Sequence, residues 1–315
     1  MAAGPYGVMV HWVKATQAAP HATYITDWNQ AVEAFDVESF CDRIAATGAR
    51  WLIFPFGHVA GGGYFASPNR IIEKRFPGHC SRRDLVLEIA RGITARGLKF
   101  IGYMFTEFDA AGNISDDFAD AMDWNHDLHD KSIFMEHFYE LITEWAQRCG
   151  PLLSGWWFDG CYNSVEKSFI RRPGWDNSRF NPQKMAAAAR AGNPDALIAM
   201  CYGANSFRSV LPEIENYMAG EANNLQNRPT GPLWQGLQWH SLIWIDCFWV
   251  HEQPGEMASP RYFDTELINY LLQCRGAGAA CTMNIGIYQD GSLGEKTVAQ
   301  LERIKKVLLP QQPSQ

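Results

Sequence analysis

One rhythm constrains this chain more than any other feature. Short, nearly uninterrupted apolar runs alternate with segments whose apolar residues recur every three or four positions. The runs fall at 6–12, 49–57, 98–105, 153–159, 196–203, 217–221, 241–249 and 279–286. Continuous apolar character, rather than strict alternation, is what strands need when both faces of a parallel sheet are covered. Helices are expected between them at 37–48, 82–97, 131–150, 182–192, 264–278 and 294–309. Gly48 and Gly97 are helix stops, Ser81 is the expected N-cap of the second helix, and Asn181 followed by Pro182 is a first-turn pattern. A further helix is expected within 206–216, begun or broken at Pro212. Eight strands each followed by a helix predict a single (β/α)8 TIM-type barrel over residues 1–315. A doubly wound open sheet is the alternative. It usually carries a glycine-rich phosphate turn after its first strand, whereas here that strand runs into HWVKATQ. No cofactor is therefore expected.

The formal net charge of −7 argues against nucleic acid or an anionic membrane as partner. No stretch approaches the roughly 20 apolar residues of a membrane helix, and the start shows no secretory pattern. The eight cysteines are scattered without zinc-type spacing, which fits buried thiols in a reducing compartment, so a cytoplasmic location is expected. Twelve tryptophans exceed what packing alone requires. Flat rings suit stacking on sugars, and in long loops they could equally serve contacts between copies in a homo-oligomer.

The segments after strands are long (13–36, 57–81, 106–130, 160–181, 222–240), and those before strands are short. In a barrel, long loops on the C-terminal face build the active site. That face offers His11, His58, Glu107, Asp159, Tyr202, Glu221, Asp246, Trp249 and Asn284. Two carboxylates on nearby strand ends are what glycoside cleavage requires: one ionised against the anomeric carbon, one protonated toward the leaving oxygen. Asp159, after the aromatic run GWWF, suits the first role and Glu221 the second, with Glu107 and Glu252 as other acids. Lone histidines without HxH or HExxH spacing are poor metal ligands, so His11 and His58 are expected to hold sugar hydroxyls. Trp157, Tyr202 and Trp249 are expected to shape the ring's surroundings, and VAGGGYF (59–65) to let Tyr64 approach them.

The segment order resembles the α-L-fucosidase family, glycoside hydrolase family 29. YGVMVHW looks like its first-strand motif, which implies that His11 and Trp12 contact the sugar. GWWFDG is similar to the fourth-strand motif whose aspartate is the nucleophile, which maps onto Asp159. MNIGIYQDGSLGEKTVAQLERI resembles the last strand and helix, with Asn284, Gly286, Asp290 and Gly291 in place. There are departures. FGHVAGG stands where the family has Lys-His-His-Asp-Gly, so only His58 remains of a histidine pair. LWQGLQWHSLIWIDCFW lacks the Trp-Glu and Ser-Trp-Gly-Tyr of that region. No C-terminal β-sandwich is expected. The resemblance implies a divergent retaining exo-glycosidase acting on a terminal sugar through a glycosyl-aspartate. Two other readings are a carbohydrate-binding barrel without catalysis and a metal-dependent sugar isomerase or hydrolase using His11, His58, Asp159 and Glu221.

Overall fold

The structure, a computed structural model, describes residues 6–108, 116–124, 131–161, 181–205 and 207–309. Most of the 106–130 and 160–181 loops lies outside the described residues. Seven parallel strands form one sheet: β1 (Gly7–Met9), β2 (Trp51–Gly57), β3 (Lys99–Phe105), β4 (Leu153–Asp159), β5 (Leu197–Met200), β8 (His240–Trp244) and β9 (Ala280–Asn284). They run in the order β5-β4-β3-β2-β1-β9-β8. Short β6 (Leu233–Trp234) and β7 (Leu237–Gln238) pair as a hairpin outside that sheet.

The sixth strand position is filled without a regular strand. Tyr217 and Glu221 form isolated parallel bridges to Gln238 and Leu242. Gly220 between them adopts φ +67°, and a Cβ there would stand 2.0 Å from the His240 carbonyl oxygen. The chain must turn left-handed and press against its neighbour at that point, which interrupts extended pairing. The segment still bonds on both sides. Leu242 N donates to Gly220 O (2.7 Å), and Asn216 N donates to Ile198 O (2.8 Å). It thereby links the two edges of the seven-stranded sheet, and the chain forms an α/β barrel of the TIM type.

Between strands lie α1 (Trp28–Glu33), α2 (Val37–Ala46), α3 (Arg70–Arg75), α4 (Leu85–Ala95), α5 (Asp116–Ala121), α6 (Ser132–Cys149), α7 (Pro182–Ala189), α8 (Asp264–Gly276) and α9 (Glu295–Leu308). The cap of α4 is Asp84, which accepts from Leu87 N at 3.1 Å; Ser81 instead donates to the Arg83 carbonyl. The helix expected within 206–216 does not form among the described residues. There the Glu215 carboxylate accepts from Ser209 Oγ, Val210 N, Leu211 N and Met200 N. A side chain that captures two backbone donors of its own segment, and a third from β5, replaces the helical ladder with a tight loop.

Alternation along the strands sorts the aromatic run of β4. Trp156 and Phe158 face the helices: Trp156 stacks between Phe56 and Phe158 and donates its indole N–H to Ala189 O at the end of α7. Trp157 faces the barrel interior, where it stacks on Tyr103 (5.5 Å between ring centres) and donates to Ala219 O. Fully buried aromatics of this kind each carry about 3–5 kcal/mol of stability against truncation. They give the strand ends a rigid floor.

Candidate active site

Asp159 is the last residue of β4 and lies on the inner face with Trp157. Its Oδ2 accepts from the Tyr103 hydroxyl at 2.5 Å, and its Oδ1 from Gly160 N at 2.8 Å. Both donors stabilise the ionised carboxylate. Gly160 has φ +74°, and a Cβ there would meet Glu107 Cγ at 2.9 Å, so the turn leaves no room for a side chain. The buried Glu107 therefore lies just behind Asp159.

Glu221 arrives from two strand positions further round the barrel, on the segment that occupies the sixth strand position beside β5, and is 9% exposed. Cys201, directly after β5, stands between the two acids. Its thiol donates to Glu221 Oε2 at 3.1 Å and accepts from Gly203 N at 3.3 Å. Burial first, then the Glu221 and Asp159 charges, push the thiol well above its ordinary range and keep its proton in place. One donor atom from each of Asp159, Cys201 and Glu221 lies within 4.8 Å of the others. A cation could be received there only by displacing the thiol proton. That group of three contains neither His11 nor His58.

Tyr103 joins the acids to the histidines. Its ring centre is 5.0 Å from His11 and 5.4 Å from His58, and the two imidazoles are 4.9 Å apart. The heavy-atom partners assign opposite tautomers. Asn284 Nδ2 donates to the carbonyls of Cys247 and Trp249, so its Oδ1 accepts from His11 Nδ1–H at 2.8 Å. His58 Nδ1 instead accepts from Ala60 N at 3.1 Å. His11 thus keeps Nε2 as an acceptor and His58 keeps Nε2–H as a donor. Neither Nε2 has a hydrogen-bond partner among the described residues. Burial lowers His11 to about 4, and burial followed by the neighbouring His11 holds His58 well below its ordinary value, so both stay neutral. Trp249 completes this side, its ring 5.6 Å from His11.

Other expected residues lie elsewhere. Trp12 points away from His11: its ring packs on Trp28 and Phe35, its N–H donates to Gln289 O, and it is 1% exposed. Tyr64 does not join the cluster; it stacks on His79 at 4.1 Å, beneath the Lys14 ammonium. Tyr202, beside Cys201, is half-buried with the Arg208 guanidinium 5.5 Å over its ring. Glu252 is exposed. Asp246 is a structural clamp, accepting from Gly286 N (2.7 Å) and Thr297 Oγ1 (2.5 Å) to hold β8, β9 and α9 together. Sequence reasoning missed Tyr103 and Cys201. Tyr103 lies inside an apolar run that hides its face, and Cys201 read as one more buried thiol.

A parallel barrel with two acids converging at its strand ends has the layout of a glycoside hydrolase. The comparison with known families makes this definite: the model described as alpha-L-fucosidase matches residues 6–309, and the chain belongs to that family. Solved structures agree on the fold. The unliganded α-L-fucosidase AlfC from Lactobacillus casei aligns with TM-score 0.65 at 14% identity, covering 97% of this chain and 96% of that one. The endo-fucoidan hydrolase P5AFcnA of glycoside hydrolase family 107 aligns with TM-score 0.68 at 15% identity, covering 97% and 92%. The endo-fucoidan hydrolase MfFcnA4 aligns with TM-score 0.68 at 15% identity over 96% of this chain, which spans 52% of that enzyme's length. No curated protein sequence matches.

Proposed function

We propose that this glycoside hydrolase is a retaining exo-acting enzyme of α-L-fucosidase type. Asp159 attacks the anomeric carbon while Glu221 protonates the departing glycosidic oxygen. The C–O bond to the leaving group breaks as the glycosyl-aspartate bond forms. Glu221, now ionised, takes a proton from water, whose oxygen displaces Asp159 and regenerates both acids. The observation that carries this reading is the spacing of the acids. One oxygen of each lies within 4.8 Å of one of the other's, which fits the roughly 5–5.5 Å between carboxyl groups of retaining pairs better than the roughly 6.5–9.5 Å of inverting ones. Two carboxylates this close resist double ionisation, which favours one shared proton. The Tyr103 and Gly160 donors favour the charge on Asp159, and the proton is assigned to Glu221, whose described side-chain donor is the weaker Cys201 thiol. His11 and His58 suit neighbouring hydroxyls of the sugar, one as acceptor and one as donor.

Proton NMR of the first product from an aryl α-L-fucoside tests the reading. Retention gives α-L-fucose before mutarotation. Initial β-L-fucose would overturn the nucleophilic role of Asp159.

A further inference from the structure

The end of β8 and the loop after it carry three aromatics in a continuous path from the pocket to solvent. Trp244 ends β8 in register with Asn284, the residue that orients His11. It shares the inner strand face with His240, whose ring spans Thr282 and the Met218 carbonyl inside the barrel. Phe248 packs edge-on against Trp244 at 5.7 Å and lies 5.6 Å from Trp249, which in turn meets His11 at 5.6 Å. Phe248 is 60% exposed.

Two features show that this path is held in place. Trp249 has φ +65°, a conformation a bulky residue rarely adopts. Its carbonyl accepts from Asn284, which ties the strained turn to the histidine side of the pocket. The Arg261 guanidinium lies 3.6 Å over the Trp244 ring and donates to Asn223 O, two residues beyond Glu221. Arg261 forms no ion pair among the described residues, so its position is set by the Trp244 ring, the Tyr262 ring 4.9 Å away and that carbonyl.

We infer that Phe248 and Trp249 form a stacking platform for the sugars of an oligosaccharide leaving group. This rests on the proposed hydrolysis at Asp159. The acid Glu221 protonates the leaving oxygen, and Phe248 packs on Trp244, which Arg261 ties to Asn223 on the segment carrying Glu221; this places Phe248 on the leaving-group side, with Trp249 between it and His11. The apolar C–H face of a pyranose complements the negative face of an aromatic ring. Successive sugars would lie first over Trp249, then over Phe248. The substrate class is thus a terminal fucoside on a chain of two or more further sugars.

The test compares kcat/KM for a fucosylated tetrasaccharide with that for an aryl α-L-fucoside. Phe248→Ala should lower the tetrasaccharide-to-aryl ratio about two- to tenfold, the range a ring-stacking contact supplies. Phe248→Trp should keep the ratio or raise it. An unchanged ratio in Phe248→Ala, or an equal loss in Phe248→Trp, would overturn the platform. Should the wild-type protein turn over neither substrate, the hydrolysis reading fails by itself. Tryptophan-fluorescence titration with the tetrasaccharide then decides the platform: weaker binding in Phe248→Ala supports it and equal binding refutes it.

Discussion

Replacing Tyr103 with Phe removes one atom from the candidate site and leaves its packing in place. The phenol is fully buried, its ring stacked on Trp157 and against both histidines, so the phenylalanine ring has the same cavity to fill. What is lost is the 2.5 Å hydrogen bond to Asp159 Oδ2. A hydrogen bond to a charged group is worth about 1.5–3 kcal/mol, and about 1.4 kcal/mol corresponds to one pH unit of titration. The donor favours the ionised form, so its removal makes the carboxylate easier to protonate. The acid limb of kcat/KM for an aryl α-L-fucoside should therefore move to higher pH by about one to two units. Below the wild-type limb this amounts to about a ten- to hundredfold loss, with little change at alkaline pH. A denaturant midpoint near wild type would show the fold intact. An acid limb that does not move would refute the reasoning, because either Tyr103 does not control Asp159 or Asp159 is not the group that must ionise.

Stability should fall as the medium is acidified. Burial lowers His11 and His240 from 6.5 to about 4 and His58 well below 6.5. A folded pKa below the unfolded one means that the unfolded chain takes up protons first, so stability is full above about pH 6.5 and is lost on the way down to about pH 4. The fall from 6.5 to about 4 corresponds to about 3 kcal/mol for each of His11 and His240. Urea midpoints at pH 7.5 and 4.5 should differ accordingly, and His240→Gln should flatten the dependence; a flat wild-type profile would contradict the burial argument. At Cys201, the thiol is a weak donor to Glu221. Cys201→Ala should move the basic limb of kcat/KM upward by less than about one pH unit, while Cys201→Ser, a stronger donor, should move it downward. Shifts of the same sign in both variants would argue against that hydrogen bond.

Much of the frame was legible in the sequence because strands covered on both faces must be apolar throughout. The run at 153–159 coincides with β4 residue for residue, and β2, β3 and β9 lie within the expected runs. The sixth strand position was legible as a location but not as a conformation, because the left-handed Gly220 follows from the approach of the His240 carbonyl, a tertiary contact. The 206–216 segment misled for a similar reason: its helix is displaced by Glu215, whose carboxylate finds backbone donors visible only once the loop is folded. At the site, single residues at strand ends could be named, but their pairing could not. His11 and Trp12 are adjacent in sequence and face opposite ways, one toward Tyr103 and the other toward Phe35. Cys201 gained its place only when β5 and the Glu221 segment came together. Composition identifies a thiol as buried; what it is buried against depends on the closure of the barrel.

The nucleophilic role of Asp159 is tested most directly by Asp159→Gly, assayed on an activated aryl α-L-fucoside with and without azide. Without the carboxylate no glycosyl-enzyme can form, so turnover should collapse. Azide entering the vacated space should restore release of the aryl group and leave β-L-fucosyl azide, the product of a single inversion. Turnover that survives the substitution unaided would contradict the account, and so would an azide product of retained configuration.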